Sequence, residues 1–218
     1  MIVILLGPPG VGKGTQGQRI SIHYSLPTIS TGVMFRDAVA RGTELGRIIQ
    51  RYKIDKGEFV PDEVVIQAVK ARTLEADCAN GFLLDGFPRT IPQAVALETM
   101  LLNDGHKLTG VLNFEAPIAD IVKRFSGRRV CPRDGSSYHI ETQPPMIAGL
   151  CDLCGTALVQ RPDDDPDVVK RRLEVYMDKT KPLVTYYGKC NVLYTVDADA
   201  APETVFSSVI AVLNKLRK

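Results

Sequence analysis

The sequence has no apolar run that approaches the roughly 20 residues a helix needs to cross a bilayer. Its apolar start, residues 2–6, leads straight into a glycine-rich loop without a cleavage-site region, so we expect neither a signal peptide nor a membrane anchor. An excess of one charge is also lacking, because 27 Lys and Arg residues face 25 Asp and Glu residues, a net charge of +2. We therefore expect no partner among nucleic acids or membranes, and any basic chemistry must be local.

Repeats and low-complexity tracts are absent as well, and 218 residues suffice for one substantial core with small insertions. Short apolar runs rich in β-branched residues recur along the chain, and helix-compatible segments separate most of them. The runs are residues 2–6, 26–29, 82–84, 111–114 and 192–196. The helical segments are residues 13–24, a stretch after Thr31, and residues 61–78, 92–102, 117–125, 166–187 and 202–216. This alternation predicts an α/β fold, a parallel five-stranded sheet flanked by helices on both faces.

The segment behind the first apolar run reads Gly-Pro-Pro-Gly-Val-Gly-Lys-Gly-Thr, residues 7–15. Glycines at Gly7 and Gly12 let the backbone curl so that successive N–H groups point at phosphate oxygens. Lys13 then supplies a movable positive charge for the β and γ phosphates. The alternative is a glycine-rich strand-to-helix turn without a ligand, but sequence and context together predict a nucleoside triphosphate site.

This loop departs from the usual pattern at one position. A hydroxyl normally follows the lysine directly, whereas here Gly14 follows it and the hydroxyl arrives on Thr15. Direct ligation of Mg²⁺ by a hydroxyl is therefore less expected than in most such loops.

A second motif occupies residues 81–93, where an apolar strand ends in Asp85. Open α/β sheets bind ligands at the carboxyl ends of their strands, so this carboxylate is expected beside the phosphate loop, where it can hold Mg²⁺ or its waters. Arg89 follows just outside the strand and can bind phosphate oxygens through two N–H groups. An aspartate at a strand end is also a common hydrogen-bonded turn residue, so the functional interpretation depends on both motifs together.

Residues 7–15, the Ser30-Thr31-Gly32 segment with Arg36, and the Leu-Leu-Asp-Gly-Phe-Pro-Arg run with Gln93 closely resemble adenylate kinase, over essentially the whole chain. The resemblance is to the long-lid bacterial type with a metal-binding lid. It implies reversible, Mg²⁺-dependent transfer of the γ-phosphoryl group of ATP to AMP, giving two ADP. It also implies a P-loop core of residues 1–29, 61–126 and 165–218 with two inserted mobile domains. Residues 30–60 would bind AMP, and residues 127–164 would form a lid over ATP.

The resemblance also implies site residues. The positions that match the family's AMP contacts are Thr31, Arg36, Glu58, Phe59, Val60, Gly86, Phe87, Pro88, Arg89, Gln93, Arg161 and Arg172. Those that match its ATP contacts are Gly10, Val11, Gly12, Lys13, Gly14, Thr15, Arg128, Ser137, Tyr138 and the backbone at Ala201, with Asp85 on the Mg²⁺ waters. Two positions differ from the family's pattern: Val33 replaces an aspartate of a possible ion pair between the AMP domain and the lid, and Glu58 replaces a frequent lysine.

The chemistry requires cations but no general base. A phosphate oxygen of AMP is already an anion near neutral pH, whereas two polyanions must meet in line while negative charge spreads over the transferred group. The catalytic candidates besides Arg36 are Lys13, Arg89, Arg124, Arg128, Arg161 and Arg172. An isolated arginine is usually a solvated or ion-paired surface residue. Water must also be excluded, so we expect lids to close, glycines such as Gly127 to act as hinges, and reopening to limit turnover.

Three of the five cysteines have metal-ligand spacing with an aspartate: Cys131-x2-Asp134-x16-Cys151-x2-Cys154. Four such ligands predict a closed, structural zinc site, which would supply folding energy of roughly 10 kcal/mol or more to a lid with little apolar core. Iron or cobalt is an alternative to zinc. His139 is an alternative to Asp134 as the fourth ligand. A metal-free lid with three reduced cysteines is the third alternative. With a nucleotide loop in the chain we expect reduced thiols, a cytoplasmic location and a monomer.

Sequence features distinguish this function from competing ones. Another nucleoside monophosphate kinase, with UMP, CMP or GMP as acceptor, is the main alternative, and Gln93 favours AMP because its amide can pair with the donor and acceptor edge of adenine. A GTP switch protein would need an Asn-Lys-x-Asp motif to recognise the base. The Asn-Lys pair of this chain, Asn214-Lys215, is followed by Leu216-Arg217, which does not favour that function. In residues 127–160, Arg128, Arg129 and Arg133 face Asp134, Glu141 and Asp152, which does not favour a nucleic-acid-binding ribbon.

Overall fold

A computed structural model describes residues 1–52 and 60–217. Its centre is a sheet of five parallel strands in the order β2-β3-β1-β4-β7. The strands of this sheet are β1 Ile2–Leu6, β2 Thr28–Ser30, β3 Phe82–Asp85, β4 Gly110–Glu115 and β7 Leu193–Asp197. A separate antiparallel pair consists of β5 Arg128–Val130 and β6 Ser137–His139. The expected α/β architecture is confirmed.

Helices cover both faces of the five-stranded sheet. They are α1 Lys13–Tyr24, α2 Thr31–Ala40, α3 Glu44–Gln50, α4 Asp62–Thr73, α5 Ile91–Asn103, α6 Ile118–Gly127, α7 Pro166–Val175, α8 Pro182–Lys189 and α9 Pro202–Leu216. Side chains of β1 alternate between two apolar clusters: Ile2, Ile4 and Leu6 pack with α4, α5 and α8, and Val3 and Leu5 pack with α1, α6 and α9. Burial on both faces explains why β1 is uniformly apolar.

Three predicted boundaries were wrong. The weak strand expected at residues 26–29 is Thr28–Ser30, and the helix expected over residues 61–78 ends at Thr73 and is followed by a 3₁₀ turn, Ala76–Cys78. The helix expected over residues 166–187 is two helices joined by a π turn, Tyr176–Thr180. Pro182 begins the second helix, where a missing N–H costs least.

The π turn has a contact that the local sequence does not reveal. The Thr180 hydroxyl donates to the carbonyl oxygen of Arg89 at 2.9 Å, 91 positions away in the chain. Long-range contacts of this kind override helix propensity.

Apart from Ser30 at the end of β2, the described residues of the two segments expected as insertions, residues 30–60 and 127–164, lie outside the five-stranded sheet. Helices α2 and α3 pack against each other in the first, and β5, β6 and short antiparallel bridges form the second. Within residues 1–52 and 60–217, none of the helices is long and apolar enough to cross a membrane.

Candidate active site

The site begins at the carboxyl edge of the parallel sheet, where β1 runs into the phosphate loop. Leu5 is paired with Asp85 in the sheet, so the carboxylate of β3 lies beside the loop. Gly7, Gly10 and Gly12 have φ angles of +139°, +81° and +106°, conformations that side-chain-bearing residues rarely adopt. A β-carbon at Gly10 would also overlap the ring of Phe125. The loop therefore requires glycine for both conformation and space.

Lys13 begins helix α1 with its side chain folded back over the loop. Its ammonium donates to the carbonyl oxygens of Gly7 and Pro8, both at 2.7 Å. Desolvation lowers its pKa to about 8, the charge of Asp85 opposes this shift, and Arg89 and other nearby arginines reinforce it. A lysine held in this way carries a charge that an arriving phosphate can stabilise.

Arginines from distant parts of the chain converge on the same edge. Burial lowers the pKa of Arg89, Arg161 and Arg172, that of Arg161 to about 10, and repulsion between the guanidinium groups contributes to each shift. The charges that interact here are those of Lys13, Arg36, Arg89, Arg128, Arg161 and Arg172, with Asp85, Asp163 and Asp164 as counter-charges. Six cations against three carboxylates leave an excess of partly desolvated positive charge.

Phe125 supports two of these arginines. The guanidinium carbons of Arg128 and Arg172 lie 4.6 and 5.4 Å from the centroid of its ring. Arg128 also pairs with the fully buried carboxylate of Asp164, and Arg172 donates to Asp163 at 2.7 Å. Phe125 was not among the predicted site residues. Its place on the apolar face of α6, one residue after Arg124, was the available signal.

The side opposite the phosphate loop is built around Gly86, where φ is +78°. The Thr31 hydroxyl and the Arg89 Nε both donate to its carbonyl oxygen, at 2.9 and 2.8 Å. A β-carbon at Gly86 would lie 2.8 Å from the Arg89 guanidinium and 2.9 Å from the Thr31 hydroxyl. The turn thus brings together Thr31, Gly86 and Arg89, three of the positions expected to contact AMP. Phe87, the next residue, is buried in the core.

Gln93 lies buried in the first turn of α5, 1 % exposed. Its Oε1 accepts from the backbone N–H of Arg89 at 2.7 Å, and its Nε2 donates to Asp62 Oδ1 at 2.7 Å. The Thr90 hydroxyl donates to the other Asp62 oxygen at 2.9 Å. Asp62 was not among the predicted site residues, because nothing in the local sequence relates the start of α4 to that of α5.

Arg124 has a different environment from the other predicted arginines. Its guanidinium donates to the carbonyl oxygens of Val11 and Ala198, at 3.1 and 2.7 Å. It thereby links the phosphate loop to the segment before Ala201, and Gln16 makes a parallel link by donating to Pro202 at 2.9 Å. These hydrogen bonds hold the phosphate loop and the start of α1 against residues 198–202.

The remaining predicted positions fall into three groups. Glu58 and Phe59 lie outside the described residues, whereas Val60 is buried in the core. Ser137 and Tyr138 lie on β6, and the Tyr138 hydroxyl is turned into the lid, where it accepts from Asp152 N–H at 2.9 Å. The ring of Tyr138 therefore packs with Cys131 and Cys151 inside this segment.

The four predicted metal ligands come together in the lid. One ligand atom from each of Cys131, Asp134, Cys151 and Cys154 lies within 4.8 Å of the others. The Sγ atoms of Cys131 and Cys154 are 3.4 Å apart, close to the edge of a tetrahedron of about 3.8 Å that Zn–S bonds of about 2.3 Å would give. Three thiols and a carboxylate at this spacing fit a tetrahedral zinc ion.

The ligands occupy two turns with the same backbone hydrogen bonds. In the first, Gly135 N–H donates to Cys131 at 3.0 Å and Cys131 N–H to Ser136 at 2.8 Å. In the second, offset by 20 positions, the corresponding bonds are from Gly155 to Cys151 at 2.8 Å and from Cys151 to Thr156 at 2.9 Å. Asp134 thus occupies the position that corresponds to Cys154.

His139, the alternative fourth ligand, is turned away from this cluster. Its Nδ1 accepts from the N–H groups of Glu141 and Thr142, both at 3.1 Å. Its ring packs against Gly127, where a β-carbon would overlap it. The glycine at position 127 is thus required for packing, and its role as a hinge stays a prediction.

Comparisons with known proteins agree with this geometry. A family model described as "Adenylate kinase" matches residues 5–192. A relative from Archaeoglobus fulgidus named adenylate kinase is 48 % identical over 217 residues, covering 100 % of both chains. Relatives of the same name from Lachnospira eligens and Clostridium tetani are 47 % and 49 % identical, covering 98 % and 99 % of this chain and 100 % of each relative.

Proposed function

Because this chain belongs to the adenylate kinase family, we propose that it transfers the γ-phosphoryl group of Mg·ATP reversibly to AMP, giving two ADP. The observation that carries this proposal is the excess of partly desolvated cations at one sheet edge. Two facing polyanions are the ligands such a cluster favours, because each neutralises charge that is otherwise uncompensated.

ATP is assigned to the phosphate-loop side. Backbone N–H groups of residues 10–15 and the Lys13 ammonium would hold its phosphates, with the segment at Ala201 near the base and Arg128, Ser137 and Tyr138 contributing from the lid. The Lys13 ammonium would donate to phosphate oxygens in place of the carbonyl oxygens of Gly7 and Pro8, and the negative phosphates would stabilise its positive charge.

AMP is assigned to the Gly86 side. Arg36 and Arg89 would bind its phosphate, and Gln93 would pair with the adenine edge. Thr31, Gly86, Phe87, Pro88 and residues 58–60 would enclose the nucleotide. Arg161 and Arg172 would bridge the two substrates, since repulsion from Arg36 already contributes to both pKa shifts.

The reaction needs positioning and charge, not proton removal. An AMP phosphate oxygen attacks the γ-phosphorus in line, the bond from that phosphorus to the β–γ bridging oxygen breaks, and the donor leaves as ADP. The arginines stabilise the equatorial oxygens of the transferred group. Bound Mg²⁺ supplies further neutralisation of the β and γ phosphates. Asp85 has the hard oxygen donor that Mg²⁺ prefers and lies beside the loop, with one oxygen 3.9 Å from where a β-carbon at Gly14 would stand.

We assign a structural zinc ion to the lid, on Cys131, Asp134, Cys151 and Cys154. Iron or cobalt could occupy the same thiolate-rich set. Residues 30–60 and 127–164 are proposed to move as the AMP-binding domain and the lid over the core. The monomeric state and cytoplasmic location expected from the sequence stay predictions.

The acceptor is tested by incubating the purified protein with Mg·ATP and AMP, UMP, CMP or GMP in turn, and separating the products by ion exchange. We expect AMP to give ADP at the highest kcat/KM, and no turnover in EDTA. A higher kcat/KM with another monophosphate would contradict the assignment.

The cation cluster is tested with Arg172→Met. We expect kcat to fall about a thousandfold, the typical contribution of an arginine to this transition state. Arg171→Met is the matched control, because its side chain is the exposed neighbour on the same helix. Equal activity of the two variants would remove Arg172 from the mechanism.

A further inference from the structure

We propose that Asp62 is a specificity-determining residue, which makes the acceptor site reject 6-oxopurines by fixing the orientation of the Gln93 amide. The inference rests on the proposed pairing of Gln93 with the adenine of AMP. It concerns a residue that touches neither nucleotide in that assignment and acts through its neighbour.

The first step is the contact geometry. The Gln93 amide is clamped from two sides, with Arg89 N–H 2.7 Å from Oε1 and Asp62 Oδ1 2.7 Å from Nε2. Asp62 is itself held, because the Thr90 hydroxyl donates to its second oxygen at 2.9 Å. Gln93 is almost wholly buried, so solvent does not compete for these bonds.

The second step is the polarity of the two partners. The oxygen and nitrogen ends of a side-chain amide are nearly identical in shape, so hydrogen-bond partners decide which end lies where. A backbone N–H only donates and a carboxylate only accepts. Turning the amide by 180° would set two N–H groups against each other at Arg89 and two oxygens against each other at Asp62. One orientation is therefore strongly preferred.

The third step is what this orientation offers a base. An amide oxygen has a second lone pair and an amide nitrogen a second N–H, which together form one donor–acceptor edge. Adenine has an acceptor at N1 and a donor amine at C6, whereas hypoxanthine has a donor N–H and an acceptor oxygen at these positions. A freely turning amide would match either base. A fixed amide matches one and opposes the other, which gives discrimination by polarity between bases of the same size.

The experiment compares AMP with IMP, which differ at this edge alone. We measure kcat/KM for both acceptors at saturating Mg·ATP in wild type, Asp62→Asn and Asp62→Glu. Asparagine can turn its own amide to donate, so the Asp62 side of the clamp admits both orientations of Gln93. We expect the IMP-to-AMP ratio of kcat/KM to rise about tenfold in Asp62→Asn. Glutamate keeps an acceptor-only group and should hold the ratio near the wild-type value.

The matched control is Glu63→Gln. Glu63 is the exposed neighbour of Asp62 in the first turn of α4, so this change removes the same charge from the same helix end. We expect its IMP-to-AMP ratio and its KM for ATP to equal those of wild type. If Asp62→Asn lacks a cooperative thermal transition, Asp62→Ala carries the same ratio test, since it removes the acceptor-only group that opposes the turned amide.

Two failures are distinguishable. If Asp62→Asn lowers kcat/KM for AMP and IMP by the same factor, Asp62 is only structural and the inference is overturned. The other failure has wild type using IMP and AMP with equal kcat/KM and Gln93→Leu leaving the IMP-to-AMP ratio unchanged. Gln93 then does not recognise the base, and the proposed contact between Gln93 and AMP is wrong whatever Asp62 does.

Discussion

At the scale of single residues, the sequence predicted the position of Lys13 but not its pKa. The P-loop spacing predicted its position and phosphate role, but its pKa is lowered mainly by burial and further by arginines far away in the chain. Without a ligand the ammonium begins to lose its proton near pH 8, and a bound triphosphate favours the charged form. Binding above this pH must therefore take up a proton.

We expect the affinity for ATP to be constant below about pH 7 and to fall by up to tenfold per unit above pH 8. Equilibrium titration with a non-hydrolysable ATP analogue at several pH values measures this. Lys13→Arg, whose guanidinium stays charged, should give a flat profile over the same range. A wild-type profile that is flat to pH 9.5 would contradict the depressed pKa.

Phe125 gives a second prediction at this scale. Phe125→Leu keeps an apolar side chain but removes the ring face under Arg128 and Arg172, each contact contributing about 0.5–1 kcal/mol. We expect kcat to fall about tenfold. Phe82→Leu makes the same change in the other apolar cluster. It should lower the melting temperature about as much as Phe125→Leu does, and leave kcat near the wild-type value. Equal kcat losses in the two variants would mean that the ring only fills space.

At the scale of elements, periodicity and proline position predicted α1 and α9 residue for residue. The break between α7 and α8 was missed, because the Thr180 contact with Arg89 is invisible in a local window. The same reason explains the missed Asp62: hydrogen bonds between the starts of two helices depend on packing, not on spacing along the chain. Motifs with short spacing, by contrast, predicted Lys13, Asp85 and Arg89 directly, whereas the family resemblance implied most other positions of the proposed site.

The lid is the element for which metal removal is most informative. We expect about one zinc per chain in wild type and in His139→Ala, and a large loss of bound metal in Asp134→Ala, measured by elemental analysis after dialysis. A chelator should lower the melting temperature of the wild-type protein, because binding energy of roughly 10 kcal/mol is coupled to folding of such small units. Full metal content in Asp134→Ala with loss in His139→Ala would reverse the ligand assignment.

At the scale of the whole molecule, the cation cluster joins three parts of the chain. Arg36 comes from the first inserted segment, Arg128 and Arg161 from the second, and Lys13, Arg89 and Arg172 from the core. The repulsion evident in the lowered pKa values opposes their close approach until anions arrive. Closure should therefore depend on both nucleotides, and opening should be slowed by the products.

We expect pre-steady-state mixing of enzyme with saturating Mg·ATP and AMP to give a burst of ADP, followed by slower steady turnover. The physical reason is that chemistry follows closure, whereas release requires two anions to leave a cluster that they stabilise. Quench-flow measurement over the first turnovers checks this. A chemical step no faster than steady turnover would contradict it.

The paired turns of the lid make positions 134 and 154 interchangeable as carriers of the oxygen donor in the proposed metal site. Since residues 131–136 repeat the backbone of residues 151–156, the single oxygen donor is a property of one side chain rather than of the scaffold. Exchanging the carboxylate at 134 with the thiolate at 154 would preserve both the total ligand charge and the path of the chain. A substitution at position 134 or 154 would therefore change the donor set while the backbone hydrogen bonds of its turn stay in place.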